Sequence, residues 1–217
     1  MVTSGAVASE PLAVFSKNLR SAIGQAKLIG EYREFFEIFG ITPAQILVVD
    51  TDFISVFRSV ALRTIEEAIR YNTPVRMIVP IINANDVVSN NELEALFACA
   101  DNDRLSQLIC EQLGDVDIMI IGMDEEGLRG KDGKIIHRIS PRAQLHPSID
   151  NLGLLLSFVN GCSEKDHGNE GMRTKISVAY RLAESGVKVV LAPGREKDLI
   201  LRAVAGEENF GTTFLPA

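Results

Sequence analysis

Apolar residues recur along the chain at two different spacings, which together predict alternating helices and strands. Helical spacing dominates in four segments, each of which ends near a glycine or a proline. The predicted helices cover residues 21–39, 53–71, 103–113 and 172–184. Glycines follow three of these segments directly or within two residues, where a glycine commonly ends a helix.

Short runs of aliphatic and β-branched residues separate these helices and predict buried strands. The runs are QILVV at 45–49, RMIVPII at 76–82, VDIMIIG at 116–122 and VKVVLA at 187–192. Strands that are apolar throughout and are followed by helices indicate a parallel sheet with both faces covered. The predicted fold class is therefore α/β, and a hairpin is expected around 130–139.

The chain shows no repeat and no linker, so we expect one domain over 1–217. Its start is unusual, because only Met1 and Val2 precede a Thr-Ser-Gly turn. A buried strand usually has about five or six residues. We therefore expect the domain to be N-terminally truncated and to lack its first strand.

Composition narrows the classes of function. The chain has 217 residues, 46% hydrophobic residues and a net charge of −7, which describes a globular protein and disfavours nucleic acid as a partner. The three cysteines and three histidines match no metal-ligand spacing, so no metal site is expected. No apolar run reaches bilayer length and no basic leader is present, so we expect a cytoplasmic protein without a membrane partner.

Ligands of parallel α/β sheets bind beyond the carboxyl ends of the strands, so the loops that follow strands are the candidate sites. The small residues TSGA at 3–6 could let a backbone cradle an anion, although a plain turn is at least as good a reading. Asn83, Asn85 and Asp86 follow the second strand and could hold an ammonium or carboxylate group. Spacing alone favours an Asx-rich turn there.

Further polar groups stand at a helix start and at a strand end. Asp101, Asn102 and Asp103 exceed what an N-cap requires and could position Mg²⁺ or substrate donors. Asp124 follows the third strand and could hold a ribose or a metal-bound water. A surface turn explains Asp124 equally well.

The stretch GNEGMRTK at 168–175 suggests a phosphate site before a helix. It is not a P-loop, because Thr174 precedes Lys175 instead of following it. Lys175 is expected on about the first turn of the helix, with Arg173 adding positive charge. The alternative is a solvated basic surface next to a glycine-marked turn.

Taken in order, these segments resemble the glutamate 5-kinase (γ-glutamyl kinase) branch of the amino acid kinase family. The matching segments are VTSGAVA, AIGQAKLI, GITPAQILVVDTDF, VPIINANDVV, DNDRLS, DEEGL, GMRTK and GTTF. The resemblance implies a three-layer αβα sandwich with a mainly parallel central sheet. It also implies phosphorylation of the γ-carboxylate of L-glutamate by ATP with Mg²⁺, the first step of proline biosynthesis.

The resemblance further implies roles for individual residues. The implied catalytic residues are Asp103 and Lys175. The implied substrate-binding residues are Ser4, Gly5, Asp86 and Asn102. The implied nucleotide-binding residues are Asp124, Gly168, Gly171, Met172, Arg173, Thr174 and Lys175. Feedback inhibition by proline and a dimeric or tetrameric homo-oligomer are expected by the same analogy.

The chain departs from the family pattern at several positions. A lysine in the family's first strand has no counterpart before VTSGA in this sequence, and we expect no RNA-modification-type domain. Ala84, Met123 and Glu170 replace a Glu or Thr, a Ser or Thr, and a glycine, respectively. Two alternatives therefore stay open: a non-catalytic relative that binds glutamate or proline, and a kinase of the same fold acting on another amino acid.

Overall fold

The computed structural model describes residues 1–9, 14–53, 59–88, 102–142, 151–159 and 167–217. These residues form two compact units, Met1–Leu113 and Gly114–Ala217. The single domain over 1–217 stays a prediction. Among the described residues, no helix is long and apolar enough to cross a membrane.

The first unit alternates helices and strands. In chain order its elements are α1 (Lys17–Glu37), β1 (Ile41–Val48), a 3-10 helix (Asp50–Phe53), α2 (Val60–Arg70), β2 (Met77–Ala84) and α3 (Asn102–Leu113). Strands β1 and β2 pair in parallel, from Ile41 opposite Met77 to Val48 opposite Ala84. This pairing confirms the parallel strands expected from the sequence.

The first three residues extend this sheet along β2. Val2 forms a parallel bridge with Ile82. The Ile82 N–H donates to the Met1 carbonyl at 2.8 Å, and the Thr3 N–H donates to the Ile82 carbonyl at 2.9 Å. The turn at Ser4 and Gly5 therefore begins at the carboxyl edge of the sheet, beside the end of β2.

Helices cover both faces of this small sheet. On one face, Ile46 and Ile82 belong to an apolar cluster with Leu62 of α2 and Leu105 of α3. On the other face, the Gln45 side-chain amide donates to Gln25 Oε1 of α1 at 3.1 Å. Successive side chains of a strand point to opposite faces of the sheet, so Gln45 faces α1 whereas Ile46 faces α2 and α3.

The second unit contains a four-stranded sheet. Its elements are β3 (Ile118–Met123), β4 (Arg138–Ile139), α4 (Asn151–Val159), α5 (His167–Glu184), β5 (Lys188–Pro193), α6 (Leu199–Ala205) and β6 (Thr212–Phe214). The strand order is β3-β5-β6-β4. β3 pairs with β5 in parallel, whereas β6 runs antiparallel to β5, so this sheet is of mixed direction.

Strand β5 forms the core of this second sheet. Val190 and Ala192 pack against Ala203 of α6, while Val189 and Leu191 on the opposite face are also fully buried. Helix α5 contacts β5 and supplies buried aliphatic residues such as Ile176. Both faces of β5 are therefore covered, as its continuous apolar sequence predicts.

Several predicted boundaries were wrong for identifiable reasons. Helix α1 begins at Lys17, four residues early, because the Ser16 hydroxyl accepts from the Leu19 N–H and caps the helix there. Ser59 caps α2 in the same way, so the prediction of a start at residue 53 was wrong. Strand β1 includes Pro43, which an edge position tolerates.

Some elements lack a strong sequence signal. Helix α6 and strand β6 are too short for periodicity to reveal them, at seven and three residues. Helix α4 is apolar on nearly all sides, so its pattern is not amphipathic. The hairpin around 130–139 is confirmed, because the Gly130 N–H donates to the Lys134 carbonyl and Arg129 bridges Ile135.

Candidate functional site

A cavity of about 340 Å³ opens in the first unit, at the carboxyl ends of β2 and of the Met1–Thr3 segment. Ser4, Gly5, Asp86 and Asn102 all line it. These are the four residues implied as substrate-binding, and they come from three separate loops or helix ends. The structure thus brings them together, while their roles stay a prediction.

The Ser4–Ala8 segment forms one wall as a tight turn. Gly5 has a φ of +93°, which an L side chain rarely adopts. Its carbonyl accepts from both the N–H and the hydroxyl of Ser9, each at 2.8 Å. Ala6 is buried against α1, so this wall is held from behind by the helix.

The loop after β2 supplies the second wall and is fixed by α1. The Asn18 amide donates to the carbonyls of Asp86 and Val87, at 2.8 and 3.1 Å. Lys17 Nζ lies 3.4 Å from Asp86 Oδ1. Asp86 is therefore held at the cavity by both its backbone and its carboxylate.

Asn83, at the end of β2, is a further polar group of the cavity lining. Its side chain is only 5% exposed and its Oδ1 accepts from the Ala84 N–H at 2.8 Å. Its Nδ2 is buried and has no hydrogen-bond partner within the part of the chain that the structure describes. A buried donor without a partner costs about 1–3 kcal/mol, so an acceptor on a ligand would relieve this cost.

Helix α3 closes the third side of the cavity. Asn102 begins the helix, lines the cavity and accepts at its carbonyl from the Ser106 hydroxyl at 2.7 Å. Asp103 lies in the first helical turn, where a carboxylate interacts favourably with the helix dipole. Asp103 is outside the cavity lining formed by the described residues. Asp101 lies outside the described residues.

Two basic residues of α1 also line the cavity, although no pattern in the sequence indicates them. Lys17 and Arg20 stand three residues apart, so they share one face of the helix. Nothing in the local sequence connects them with Asp86, which lies over sixty residues further along the chain. Only the tertiary structure, in which Asn18 of α1 donates to the loop after β2, reveals this relationship.

The second unit has its own candidate region, at the carboxyl ends of β3 and β5. Asp124 follows β3 and is highly exposed, with Arg195 Nη2 at 3.6 Å from its Oδ1. The Gly194 N–H donates to the Met123 carbonyl at 2.7 Å, which joins the two strand ends. A Cβ on Gly122 would lie 3.2 Å from the Gly194 Cα, so close approach favours glycine at this edge.

The predicted helix over 172–184 is confirmed, but its predicted start at Met172 was wrong. Helix α5 begins at His167, so Gly168, Gly171, Met172, Arg173, Thr174 and Lys175 all have helical backbone. Lys175 consequently stands well beyond the first turn. Glu170, Met172, Arg173 and Lys175 are good helix formers, and Gly171 meets no steric barrier, since a Cβ there would contact nothing within 4 Å.

No group of three or more His, Cys, Asp or Glu side chains is arranged to hold a metal among the described residues. Mg²⁺ in kinases is commonly bound through one or two carboxylates together with substrate phosphates. Asp124 presents one exposed carboxylate, which would be enough to bind Mg²⁺ together with substrate phosphates.

Comparisons with known proteins agree with this architecture. The model of the amino acid kinase family matches residues 5–193. The chain is 34% identical to a glutamate 5-kinase of Thermoanaerobacter sp. (strain X514) over 226 aligned positions, covering 100% of the chain and 57% of that protein. It is 32% identical to the glutamate 5-kinase of Shewanella oneidensis, covering 99% of the chain and 56% of that protein.

A third relative is the glutamate 5-kinase of Photorhabdus laumondii, which is 34% identical and matches 99% of the chain. The chain spans 57% of the length of that relative as well. The family match covers most of the chain, and the resemblance seen in the motifs is confirmed. This chain belongs to the amino acid kinase family.

Proposed function

We propose that the chain phosphorylates the γ-carboxylate of L-glutamate with ATP, giving γ-glutamyl phosphate and ADP, the first step of proline biosynthesis. The observation that carries this proposal is the shared cavity of Ser4, Gly5, Asp86 and Asn102. The names of the relatives support the choice of acceptor.

The cavity has the chemistry that an amino acid requires. Asp86 offers a carboxylate to an ammonium group, and Lys17 and Arg20 offer positive charge to carboxylates. The buried Nδ2 of Asn83 lacks an acceptor within the described residues and would donate to a ligand oxygen. A ligand that carries both ammonium and carboxylate groups therefore suits a lining with charges of both signs.

The reaction needs no strong base, because the attacking carboxylate is already ionised at neutral pH. One of its oxygens forms a bond to the γ-phosphorus of ATP, and the bond to the bridging oxygen breaks, with the electron pair leaving on ADP. Catalysis of such transfers is chiefly positioning and charge stabilisation. Mg²⁺ bound with ATP would supply part of that charge.

In this proposal Asp103 and Lys175 are the catalytic residues. Lys175 neutralises charge on the transferred phosphoryl group, and Asp103 organises the phosphate-side groups. Asp124 and the start of α5, with Gly168, Gly171, Met172, Arg173 and Thr174, bind the nucleotide. The first N–H groups of α5 support this nucleotide role, because helix N-termini favour phosphate.

A direct test is ADP release by the chain with Mg-ATP, with and without L-glutamate, beside Lys175→Met. Lys131→Met, in the exposed hairpin, is the matched control. We expect glutamate-dependent release that Lys175→Met lowers by at least about a hundredfold, as loss of a charged transition-state contact predicts. Release that is unchanged in Lys175→Met would refute its role.

Met123 and Glu170, which replace a Ser or Thr and a glycine of the family pattern, favour one second candidate, a relative that binds glutamate without turnover. The same assay separates the two. Calorimetric binding of L-glutamate with no ADP release would support the binding protein, and release with a different amino acid alone would refute glutamate as the acceptor. Proline inhibition and a homo-oligomer remain proposals that the same preparation can test.

A further inference from the structure

The turn after β5 places an arginine at the carboxyl edge of the second sheet. The Glu196 N–H donates to the Pro193 carbonyl at 3.1 Å, which closes a four-residue turn over 193–196. Arg195 is the third residue of this turn, and its side chain is 93% exposed. Its Nη2 lies 3.6 Å from Oδ1 of Asp124, in the loop that follows β3. A cation and an anion from the ends of two neighbouring parallel strands therefore meet at this edge.

Two glycines leave the main chain at this edge without side chains. A Cβ on Gly194 would lie 3.4 Å from the backbone of Gly122, so the two strand ends approach each other closely. The Gly194 N–H donates to the Met123 carbonyl at 2.7 Å and fixes this arrangement. Ligands of parallel sheets bind beyond the carboxyl ends of the strands. A ligand can therefore come close to the backbone beside Asp124 and Arg195.

The carboxylate that follows Arg195 in the sequence pairs with α6. Arg202 Nη1 lies 3.0 Å from Glu196 Oε2. Arg202 also lies 2.7 Å from Glu207 Oε2, and its guanidinium carbon is 4.0 Å from the centre of the Phe210 ring, so Arg202 is itself well anchored. Because Glu196 is paired in this way, its negative charge opposes an anion bound at Arg195 less than a free carboxylate would.

The contact between Asp124 and Arg195 is too exposed to contribute much to folding, because solvent screens it. A guanidinium group has five N–H donors, of which a carboxylate engages at most two in a bidentate pair. Arg195 can therefore contact Asp124 and a phosphate group at the same time. Guanidinium groups also match the geometry of phosphate oxygens.

We propose that Arg195 binds a phosphate group of the nucleotide, while Asp124 holds the Arg195 guanidinium over the ends of β3 and β5. This inference rests on the proposed function and adds a residue to its nucleotide side. Without a neighbouring cation, the Asp124 carboxylate would repel the phosphates of ATP. Arg195 offsets this repulsion and so selects phosphorylated nucleotides over nucleosides.

The test compares ADP with adenosine, which has the same base and ribose but no phosphate. Calorimetry measures the binding of each to the wild-type chain, Arg195→Gln, Arg195→Lys and the control Arg138→Gln. Arg138 forms a similar exposed pair with Glu208, at 3.2 Å, but lies on β4, at the opposite edge of the sheet from β3. Thermal melting of each variant checks that it is folded.

We expect Arg195→Gln to raise the Kd for ADP about five- to tenfold, as loss of one exposed charge-assisted hydrogen bond predicts. The Kd for adenosine should change less than about twofold, because adenosine has no phosphate for Arg195 to bind. Arg195→Lys keeps the charge and should lie between wild type and Arg195→Gln, and Arg138→Gln should match wild type.

Two further readouts separate phosphate binding from a merely structural role. The Kd for ADP should rise less with added salt in Arg195→Gln than in wild type, because one screened attraction is lost. In turnover, Arg195→Gln should raise the KM for ATP and leave the KM for L-glutamate unchanged.

Equal weakening of ADP and adenosine would overturn the proposal, since it would assign Arg195 to shaping the turn alone. Unchanged ADP binding in Arg195→Gln would overturn it too, and glutamate-dependent ADP release would then leave the proposed function intact. If adenosine binds too weakly to measure, the salt dependence decides, and an equal dependence in wild type and Arg195→Gln overturns the proposal. Failure of the wild-type chain to bind ADP would instead refute the proposed function.

Discussion

Gly24 of α1 lies directly against the carbonyl group of Ala6, so that a Cβ on Gly24 would overlap the Ala6 carbonyl oxygen and come within 2.6 Å of its carbon. This close approach places the Ser4–Ala8 turn against the helix and forms one wall of the cavity. The glycine in the AIGQ segment is therefore a packing requirement at the candidate site.

The first prediction concerns this contact. Gly24→Ala should lower the free energy of unfolding by about 1–3 kcal/mol, because backbone atoms must move to admit the methyl group. Gly30→Ala on the same helix should be neutral or stabilise by up to about 1 kcal/mol, since a Cβ there meets nothing within 4 Å. Urea unfolding of both variants measures the difference. If the two substitutions change the free energy of unfolding equally, the Ala6 backbone can move away from the added methyl group at little cost.

The second prediction concerns Asp86. Asp86→Asn should raise the Kd for L-glutamate about ten- to a hundredfold, because the amide carries no negative charge to pair with the ligand ammonium. Its effect on stability should stay below about 1 kcal/mol, as for other partly exposed ion pairs. Calorimetry and urea unfolding measure the two effects. Glu37→Gln breaks the exposed ion pair with Arg33 and is the control. It should change neither the Kd for L-glutamate nor the free energy of unfolding appreciably.

A third prediction tests the helix over 168–175. Gly171→Ala should stabilise the chain by about 0.5–1 kcal/mol, because the position is helical and open. Gly186→Ala should destabilise it, although its position is equally open, since Gly186 has a φ of +95°. Chemical unfolding gives both values. Destabilisation by Gly171→Ala would argue for a non-helical backbone there.

A fourth prediction concerns Thr212 in the GTTF segment. The buried Thr212 hydroxyl accepts from the Leu128 N–H at 2.8 Å, which ties the turn after β3 to β6. Thr212→Val should cost about 1–3 kcal/mol, because it leaves that N–H without its acceptor. Thr212→Ser keeps the hydroxyl and should cost less. A larger loss in the serine variant would show that the methyl group, not the hydrogen bond, matters.

The fifth prediction concerns Cys110 on α3. Burial, followed by the nearby Glu111 carboxylate, raises the pKa of the Cys110 thiol from 9.0 to about 11. In a Cys99→Ser/Cys162→Ser background, alkylation of the folded chain should therefore be slow until the pH approaches 11, whereas the unfolded chain should react near pH 9. If alkylation of the folded chain has its midpoint near pH 9, the burial of the Cys110 thiol is contradicted.

The same shift predicts how stability depends on pH. Below pH 9.0 the thiol is protonated in both states and contributes no difference. Above it the unfolded state loses the proton first, so the folded state binds more protons and stability falls as pH rises toward 11. Cys110→Ala should remove this part of the alkaline loss, measured as unfolding free energy between pH 8 and 11.

Local patterns were sufficient for most elements and for the acidic and amide residues of the site. Periodicity identified the cores of α1, α2, α3, β1, β2, β3 and β5, since each buries a face long enough to leave a pattern. Strand ends indicated Asp86 and Asp124 because the chemistry of a parallel sheet concentrates there. The predicted first residues of α1 and α2 were wrong, because in each helix a single capping side chain sets the start. These side chains are the hydroxyls of Ser16 and Ser59.

The sequence by itself determined that this chain is an α/β protein of the amino acid kinase family and which loops could carry its chemistry, because both depend on local residue order. Only the tertiary structure decided that Lys17 and Arg20 belong to the same cavity as Asp86. The physical reason is that these residues are far apart in sequence and meet only because α1 packs close to the loop after β2. The spacing of residues along the chain does not show which distant segments will be in contact.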